Sequence, residues 1–600
     1  MKQLLVRTGL PQALRLAWDA GPRWAALVVA LNLAGAIVPL ASAWATKLAI
    51  DAIVTQNTVT TVIALAAGLA TIGVITSISP AIQSYATAEL DRQISLLAQD
   101  RLYRTLSRLP GLKRFEDPAF LDRIRLAAQS GGMTPGQTGE ACLGMLGGLI
   151  MVGGFLGTLL SISPPMTLLT LACTLPALLA EVFMARQRAA TMWTLGPVER
   201  REFFYSQLLT STDAAKEVRL FGLGDFLHQR MLQERRTANA EQRTLDRRQM
   251  LIQIVLRAVA ATVSGLGVIW AMVQCQAGLL SIGDILMFIA AMAGVHGGTS
   301  GFITQLGLMH QHLLLFSHYQ HVTGVEPDLP IREIRRLATP FLRIEFDNVW
   351  FRYSPNHPWV LRGVSFSITN GRTVGLVGLN GSGKSTLVKL LCRFYDPVHG
   401  TIRWDGLDIR DVDIADLRNR LSVVFQDFMQ YDLSVAENIG LGDLALISDR
   451  DAISIAAKRA GVHDAVCSLP SGYDTLMTRN FFQEDEQTEG VYLSGGQAQR
   501  IAVARALLRR DRDLLILDEP SSGLDAQAEY ELHNRLKTYR TGKASLLVSH
   551  RLNTLRDADF LIVIDDGVVA ESGDHEHLMR LGGRYFRLFT MQAAGYQDLV

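Results

Sequence analysis

Gly378 to Thr386, GLNGSGKST, follows the apolar stretch TVGLV (373–377) and opens a run with helical character from Lys384. A strand, a glycine-rich turn and a helix start in that order make a phosphate cradle. Glycines let backbone N–H groups close around charged oxygens, and the helix N-terminus adds partial positive charge. Gly378, Asn380, Gly381, Ser382, Gly383 and Thr386 are the candidate cradle; Lys384 places a cation at the β and γ oxygens of a nucleotide, and Ser385 is a candidate Mg2+ ligand. Taken alone the stretch also reads as a glycine-rich turn, so its neighbours decide.

Downstream, LLILDEP (514–520) is a short apolar run ending in two carboxylates. At such a strand end Asp518 is expected to hold the Mg2+ shell and Glu519 to polarise a water for attack on the γ-phosphate. A third apolar run, ASLLVSH (544–550), and helical stretches between the runs predict an α/β domain with a mainly parallel core sheet. FLRIEFDNVWFRY (341–353) alternates Leu342, Ile344 and Phe346 with polar neighbours, and LIVIDDGVVAESG (561–573) carries a hairpin signal at Asp565, Asp566 and Gly567. Both predict an antiparallel β part beside the parallel core.

Between GLNGSGKST and LLILDEP lies LSGGQ, Leu493 to Gln497, and with it the chain resembles the ATP-binding-cassette family. The resemblance implies that Ser494 and Gly496 bind the γ-phosphate of ATP held by an opposite protomer, with Gly495 and Gln497 part of the same nucleotide-binding stretch, which requires a dimer. It further implies Tyr353 for stacking on adenine, Gln426 in VVFQD for sensing Mg2+ and the lytic water, Asp525 in SSGLD for contact across the dimer, and His550 for the γ-phosphate. Gly523 stands where alanine is commoner in that family. The complete set, Glu519 included, favours a homodimer with two working sites.

The 600 residues exceed what one core organises, and 48% are apolar against 19% charged, so part of the chain is expected in lipid. A net charge of +1 provides no bulk attraction for nucleic acid. Cys142, Cys173, Cys275, Cys392 and Cys467 form no CxxC pair, and a disulfide framework is not expected. Lys2, Arg7, Arg15 and Arg23 before a long apolar run read as the flank of an uncleaved first span.

Six stretches reach the roughly 20 residues that cross a bilayer core: Trp24 to Ala45, Val62 to Ile82, Leu143 to Ile162, Met166 to Met184, Leu251 to Val273 and Ile285 to Phe302. Ser163, Pro164 and Pro165 predict a tight hairpin between the third and fourth. Thr87 to Ala141 and Ala185 to Met250 are rich in arginine, whereas the connectors Ala52 to Thr61, Ser163 to Pro165 and Gln274 to Gly283 hold no Lys or Arg. The basic segments, and with them both termini, are therefore expected in the cytoplasm. In LDRQISLLAQDRLYRTLSRL, Ile94, Leu97, Leu102 and Leu106 stand near helical spacing, so the spans are expected to continue beyond the membrane as two long helical hairpins.

The expected division is a transmembrane domain at 1–317, a polar, proline-broken linker at 318–340 and a nucleotide-binding domain at 341–600. An all-α six-span domain followed by an α/β nucleotide-binding domain with an antiparallel β part is the exporter-type half-transporter arrangement. By resemblance, FEDPAFLDRI (115–124) is a first coupling segment, and a second lies near Thr212 to Glu217, at the start of KEVRLFGLG. The implied function is ATP-driven export by an integral protein of a bacterial plasma membrane. Its substrate is expected to be a peptide or amphipathic small molecule; a lipid flippase and an importer are the alternatives. Of the rare charges near the spans, Lys47 and Asp51 are spaced to pair on one helix face, Glu181 and Arg257 to pair across helices. His296, among Gly294, Gly297 and Gly298, reads equally as a substrate-path residue or as part of a packing surface.

Overall fold

Proline lacks an N–H and suits the first turn of a helix, so consecutive prolines end one helix and start the next. In the computed structural model of the protein the helix Thr134–Ile162 stops at Ser163, which is extended, and the helix Pro164–Thr210 begins with proline in its first turn. The structure describes residues 9–329, 335–338, 341–478, 490–510 and 512–597, with only part of the side chains in Pro164–Thr210. The expectations for Glu181 and Cys173, and parts of the linker including Pro330 and Pro340, lie outside the described residues.

The chain divides into two compact units, Met1–Ser107 with Ala119–Val325, and Arg108–Pro118 with Glu326–Val600. In the first, five helices are long and apolar enough to cross a membrane among the described residues: Pro22–Val54, Val59–Ser107, Thr134–Ile162, Gly224–Gln276 and Ile282–Thr323. The sixth expected span falls in Pro164–Thr210. Val59–Ser107 has 49 residues, roughly 74 Å at about 1.5 Å per residue, against a hydrocarbon core of about 30 Å. Its buried face is Ala86, Leu90, Ile94, Ala98 and Leu102. The spacing is helical and Ile94 and Leu102 lie on it as expected, but Leu97 and Leu106 are only half-buried, and Ala98 takes the fully buried place beside Leu97, where a neighbouring helix approaches closely. That helix brings Tyr319, whose hydroxyl donates to the Ala98 carbonyl at 3.1 Å.

Close approach also defines the pair Thr134–Ile162 and Ile282–Thr323. A Cβ on Gly298 would stand 2.9 Å from Val152 and 3.1 Å from the Gly148 carbonyl, and one on Gly294 would overlap Phe155 at 2.1 Å. Gly294 and Gly298 therefore pack, whereas Gly297 has only Met151 at 3.8 Å and His296 is half-buried beside it. Lys47 does not pair with Asp51. Its ammonium meets Asp284 at 2.6 Å, and Asp51 accepts from the Gly283 N–H at 3.1 Å, because the capped start of the last helix, at Ser281, is packed against both.

In the second unit ten strands are described: β1 Arg343–Phe351, β2 Leu361–Thr369, β3 Thr373–Val377, β4 His399–Trp404, β5 Leu407–Asp408, β6 Leu421–Val424, β7 Leu514–Asp518, β8 Ala544–Val548, β9 Phe560–Asp565 and β10 Val568–Gly573. They form an antiparallel sheet ordered β2-β1-β4-β5 and a second sheet ordered β10-β9-β3-β8-β7-β6. In the latter every pairing is parallel except β9 with β10. β3, β7 and β8 are buried throughout, as strands covered on both faces must be. Asp566 and Gly567, at φ +53° and +79°, make the two-residue turn between β9 and β10. In β1 the pairing register shifts after Phe346, so the buried positions change from Ile344 and Phe346 to Val349 and Phe351. Leu342, expected to point inward, precedes the strand and is 65% exposed.

Replacing Gly298 with leucine forces four extra carbons against Val152 and the Gly148 carbonyl, and overpacking of this kind costs about 1–3 kcal/mol. The detergent-purified variant is expected to melt several degrees lower than wild type, whereas Gly297→Ala, with open space beside it, is expected to leave the melting temperature unchanged.

Candidate functional site

The parallel register aligns three strand ends. Leu376 and Asp518 both pair with Val548, so Gly378, Glu519 and His550 follow on one edge of the sheet, and Gln426 follows β6 beside them. After β3 the chain turns through Gly378–Gly383 into the helix Lys384–Leu391. Gly383 stands at φ +106°, and a Cβ there would lie 2.7 Å from Leu361, so the turn requires glycine. Asn380 and Gly381 lie exposed at the loop tip, and Ser382 and Thr386 are buried.

Lys384 is buried, and its ammonium donates to the Gly378 and Leu379 carbonyls of its own loop at 2.8 and 2.9 Å. Burial pulls it below the ordinary lysine range, and the carboxylates of Glu519 and Asp518 partly restore it. Asp518 is 4% exposed, and burial raises its pKa to about 6 despite a hydrogen bond from Ser385. Its Oδ1 and the Ser382 hydroxyl are buried without hydrogen-bond partners among the described residues. Such oxygens are rarely left unpaired, and a buried carboxylate beside an exposed serine hydroxyl is the hard-oxygen donor set that Mg2+ takes. The residues present fit that ion and a phosphate chain.

Glu519 has φ +51°, a left-handed conformation that costs a non-glycine residue about 1–3 kcal/mol. Its carboxylate accepts from Gln426 Nε2 at 2.9 Å and faces His550 Nδ1 at 3.1 Å. On the far side of the loop Tyr353 bonds the Thr386 hydroxyl at 3.1 Å, its ring edge-on to Phe351 and Tyr395. Lys384, Ser385, Asp518, Glu519, Gln426 and His550 are thus gathered on one edge, with Tyr353 beside the loop.

The remaining expected residues form a second group. Ser494 caps the helix Gly495–Leu508, with Gln497 closing the capping box, and Ser494 and Gly495 are exposed. A Cβ on Gly496 would meet Leu524 at 2.9 Å, which seats the helix start on the segment leading to Asp525. Asp525 is itself an exposed cap, accepting from the Ala528 N–H at 2.7 Å. Among the described residues no hydrogen bond or ion pair joins Ser494–Gln497 to Gly378–Thr386.

Two features, both sets of contacts, were not foretold by the motifs, the first made by a stretch that overlaps the expected coupling segment at 115–124. The segment Arg108–Pro118 belongs to the second unit. There the Leu112 N–H donates to the Phe394 carbonyl at 3.2 Å, and Glu116 pairs with Lys389 at 2.8 Å while accepting from the Tyr395 hydroxyl. Lys389 also lies 5.5 Å above the Tyr353 ring. The second feature is Gln499, a buried amide in the run AQRIAVARALL, whose only trace in the sequence is one polar residue on an apolar helix face.

A membrane-spanning helical unit joined to a nucleotide-binding α/β unit defines a membrane-embedded ATPase. The family model described as ABC transporter matches residues 361–522, and the one described as ABC transporter transmembrane region matches residues 138–298. The subtilin transport ATP-binding protein SpaT of Bacillus subtilis is 25% identical over 97% of this chain and 94% of its own length. The ATP-dependent lipid A-core flippase of Alkalilimnicola ehrlichii is 41% identical, over 45% of this chain and 44% of that one. A solved bacterial Atm1-family ABC exporter with ATP bound shares the fold, with a TM-score of 0.80 and 23% identity over 95% of this chain and 98% of that one. The chain belongs to the ABC transporter family and has the exporter-type fold. It couples transport to ATP.

Burial raises the pKa of Glu116, but hydrogen bonds from Lys389 and Tyr395 outweigh it and hold the carboxylate below its ordinary range. The pair is therefore fully present above the usual glutamate pKa and is lost only as pH falls through the depressed value. Glu116→Lys sets two cations together and is expected to speed chymotryptic cleavage within Arg108–Pro118 a few-fold at neutral pH, in keeping with a half-exposed pair of about 0.2–1 kcal/mol. Adding Lys389→Glu is expected to restore the wild-type rate.

Proposed function

We propose that the protein is a homodimeric exporter driven by ATP hydrolysis, with residues 1–317 forming the translocation pathway, 318–340 the linker and 341–600 the motor. The observation that carries this reading is that Ser494 and Asp525 are exposed and that, among the described residues, no hydrogen bond or ion pair joins their side chains to Lys384 or to the Glu519 carboxylate of the same chain. A second copy is the partner that would complete each group with the other. In that arrangement Tyr353 stacks on adenine, Gly378, Asn380, Gly381, Ser382, Gly383, Lys384 and Thr386 hold the phosphates, and Ser385, Gln426 and Asp518 are the residues that would hold Mg2+. When bound, that ion neutralises charge on the β and γ oxygens.

Within this frame Lys384 exchanges the Gly378 and Leu379 carbonyls for phosphate oxygens, so that its ammonium meets anionic acceptors in place of two neutral ones. Glu519 polarises the attacking water, with Gln426 and His550 fixing its two oxygens and His550 reaching the γ-phosphate. Ser494, Gly495, Gly496, Gln497 and Asp525 serve the nucleotide on the opposite chain. Closure of the nucleotide domains around two ATP molecules drives alternating access. The helix Thr212–Leu220 and the segment at Phe115–Ile124 are the coupling elements. Likeness to a protein named for subtilin transport over nearly its full length supports a peptide or amphipathic small molecule as cargo. The membrane is a bacterial inner membrane, with both termini cytoplasmic.

Lys384→Ala and Ser494→Ala homodimers are each expected to fail ATP-dependent closure, measured by cross-linking cysteines introduced across the interface. A mixed dimer of the two places both lesions in one composite site and leaves the other intact, so one closing site is expected back. Failure of the mixed dimer, while a wild-type chain paired with a double mutant closes, sinks the trans arrangement. For cargo, amphipathic peptides are expected to raise the ATPase rate of protein in nanodiscs. Stimulation by lipid alone would favour the flippase, and accumulation of cargo on the motor side of sealed vesicles would favour the importer.

A further inference from the structure

Gln499 is 1% exposed in the middle of the helix Gly495–Leu508, and its Nε2 donates to the backbone carbonyl of Glu519 at 3.1 Å. The Oε1 is buried without a partner among the described residues. A buried amide with one half unused is a poor choice for stability alone.

The bond falls on a peptide group with few other anchors. Residue 520 is proline, so the plane between Glu519 and Pro520 carries no N–H and is held only through its carbonyl oxygen. That oxygen takes two bonds, a local one from the Ser522 N–H at 3.2 Å and a remote one from Gln499. On the other side of the residue, the Glu519 N–H donates to the Val548 carbonyl at 2.9 Å. Two flanking peptide planes, one tied to β8 and one to the helix Gly495–Leu508, set a left-handed backbone and hence the direction of the carboxylate. A strained conformation persists only where its surroundings determine it, and the Gln499 bond is a long-range part of that determination.

We infer that Gln499 is a positioning residue for Glu519, and that through it the helix capped by Ser494 governs the geometry of the hydrolytic carboxylate in the same chain. The consequence rests on the dimer proposed above. Ser494 faces the nucleotide of the opposite protomer, while Glu519 serves the nucleotide of its own, so one rigid helix joins the two composite sites. From Ser494 to Gln499 is five residues, about 7.5 Å along a helix of about 1.5 Å rise. Seating of Ser494–Gln497 on one nucleotide thereby orders the carboxylate at the other, with no need for a path through the membrane unit.

Gln499→Met keeps the side-chain length and apolar contacts and removes the donor. It also removes the unpartnered Oε1, and the Glu519 carbonyl keeps its Ser522 bond, so a melting temperature equal to or above wild type is expected. ATPase measured on the full-length protein in nanodiscs should lose at least tenfold in kcat with KM for ATP within twofold. Closure by interface cross-linking should persist, as in Glu519→Gln and unlike Ser494→Ala. A kcat within threefold of wild type overturns the inference, as does loss of closure together with hydrolysis, or a KM that rises in step with the fall in kcat. A fall in activity that tracks a fall in melting temperature, in this variant and in Gln499→Leu alike, assigns the residue to packing and also overturns it. If wild-type protein itself fails to cross-link with ATP, the dimer reading fails, and the comparison of kcat, KM and melting temperature still decides the role of Gln499.

Discussion

Parallel pairing of β3, β7 and β8 is the constraint on which the motor unit depends. Parallel strands bring their carboxyl ends to one edge of a sheet, and ligands of open α/β sheets bind in the crevice outside those ends. Here the register puts Leu376 and Asp518 opposite the same residue, Val548. The glycine-rich turn, the buried carboxylate of Asp518 and the two residues that face each other, Glu519 and His550, are therefore carried on strand ends whose interiors are fully buried. A shift of one residue in β7 would exchange Asp518 and Glu519 and reverse which side of the sheet each one faces.

The membrane unit relies on a different economy of contact. Lipid supplies no hydrophobic drive between helices, so close approach through small residues and a few polar bonds has to hold them. Gly294 and Gly298 fit against Phe155, Val152 and the Gly148 carbonyl, and the alanines of Val59–Ser107 leave room for Tyr319 to reach the Ala98 carbonyl. Toward one end of the bundle, Lys47 with Asp284 and Asp51 with the Gly283 N–H join the first and last spanning helices. These bonds involve the cap of the last helix, and for that reason the spacing of Lys47 and Asp51 on their own helix did not foretell them.

The motor unit holds a strained, left-handed conformation at Glu519. The residue combines a left-handed backbone, a following proline, and side-chain contacts to Gln426 and His550 from two other strand ends. Each tie comes from a different part of the chain, so the position reports on the sheet, the segment after β6 and the helix Gly495–Leu508 together. The contacts of Glu116 and Leu112 bring Arg108–Pro118 to the neighbourhood of Tyr353 through Lys389 and Tyr395. A polar network thus runs from the expected coupling segment to the residue expected to stack on adenine.

Much of this was legible without coordinates, because it depends on local chemistry. Glycines that must take positive φ, prolines that must end helices, apolar runs long enough for a bilayer and the turn Asp566–Gly567 are properties of a few adjacent residues. The motifs from Gly378 to His550 were readable for the same reason. What only the tertiary structure decided are the contacts made by residues far apart in sequence. Leu342 falls just before β1 and is exposed, the register shift in β1 turns Val349 inward, and packing puts Ala98 and Leu102 on the buried face with Leu97 and Leu106 only half-buried. Asp284 becomes the partner of Lys47, and Gln499 reaches the Glu519 carbonyl across 20 residues. Periodicity states which face of an element is apolar; it carries no information on what that face meets, and the strength of a polar bond depends on the meeting.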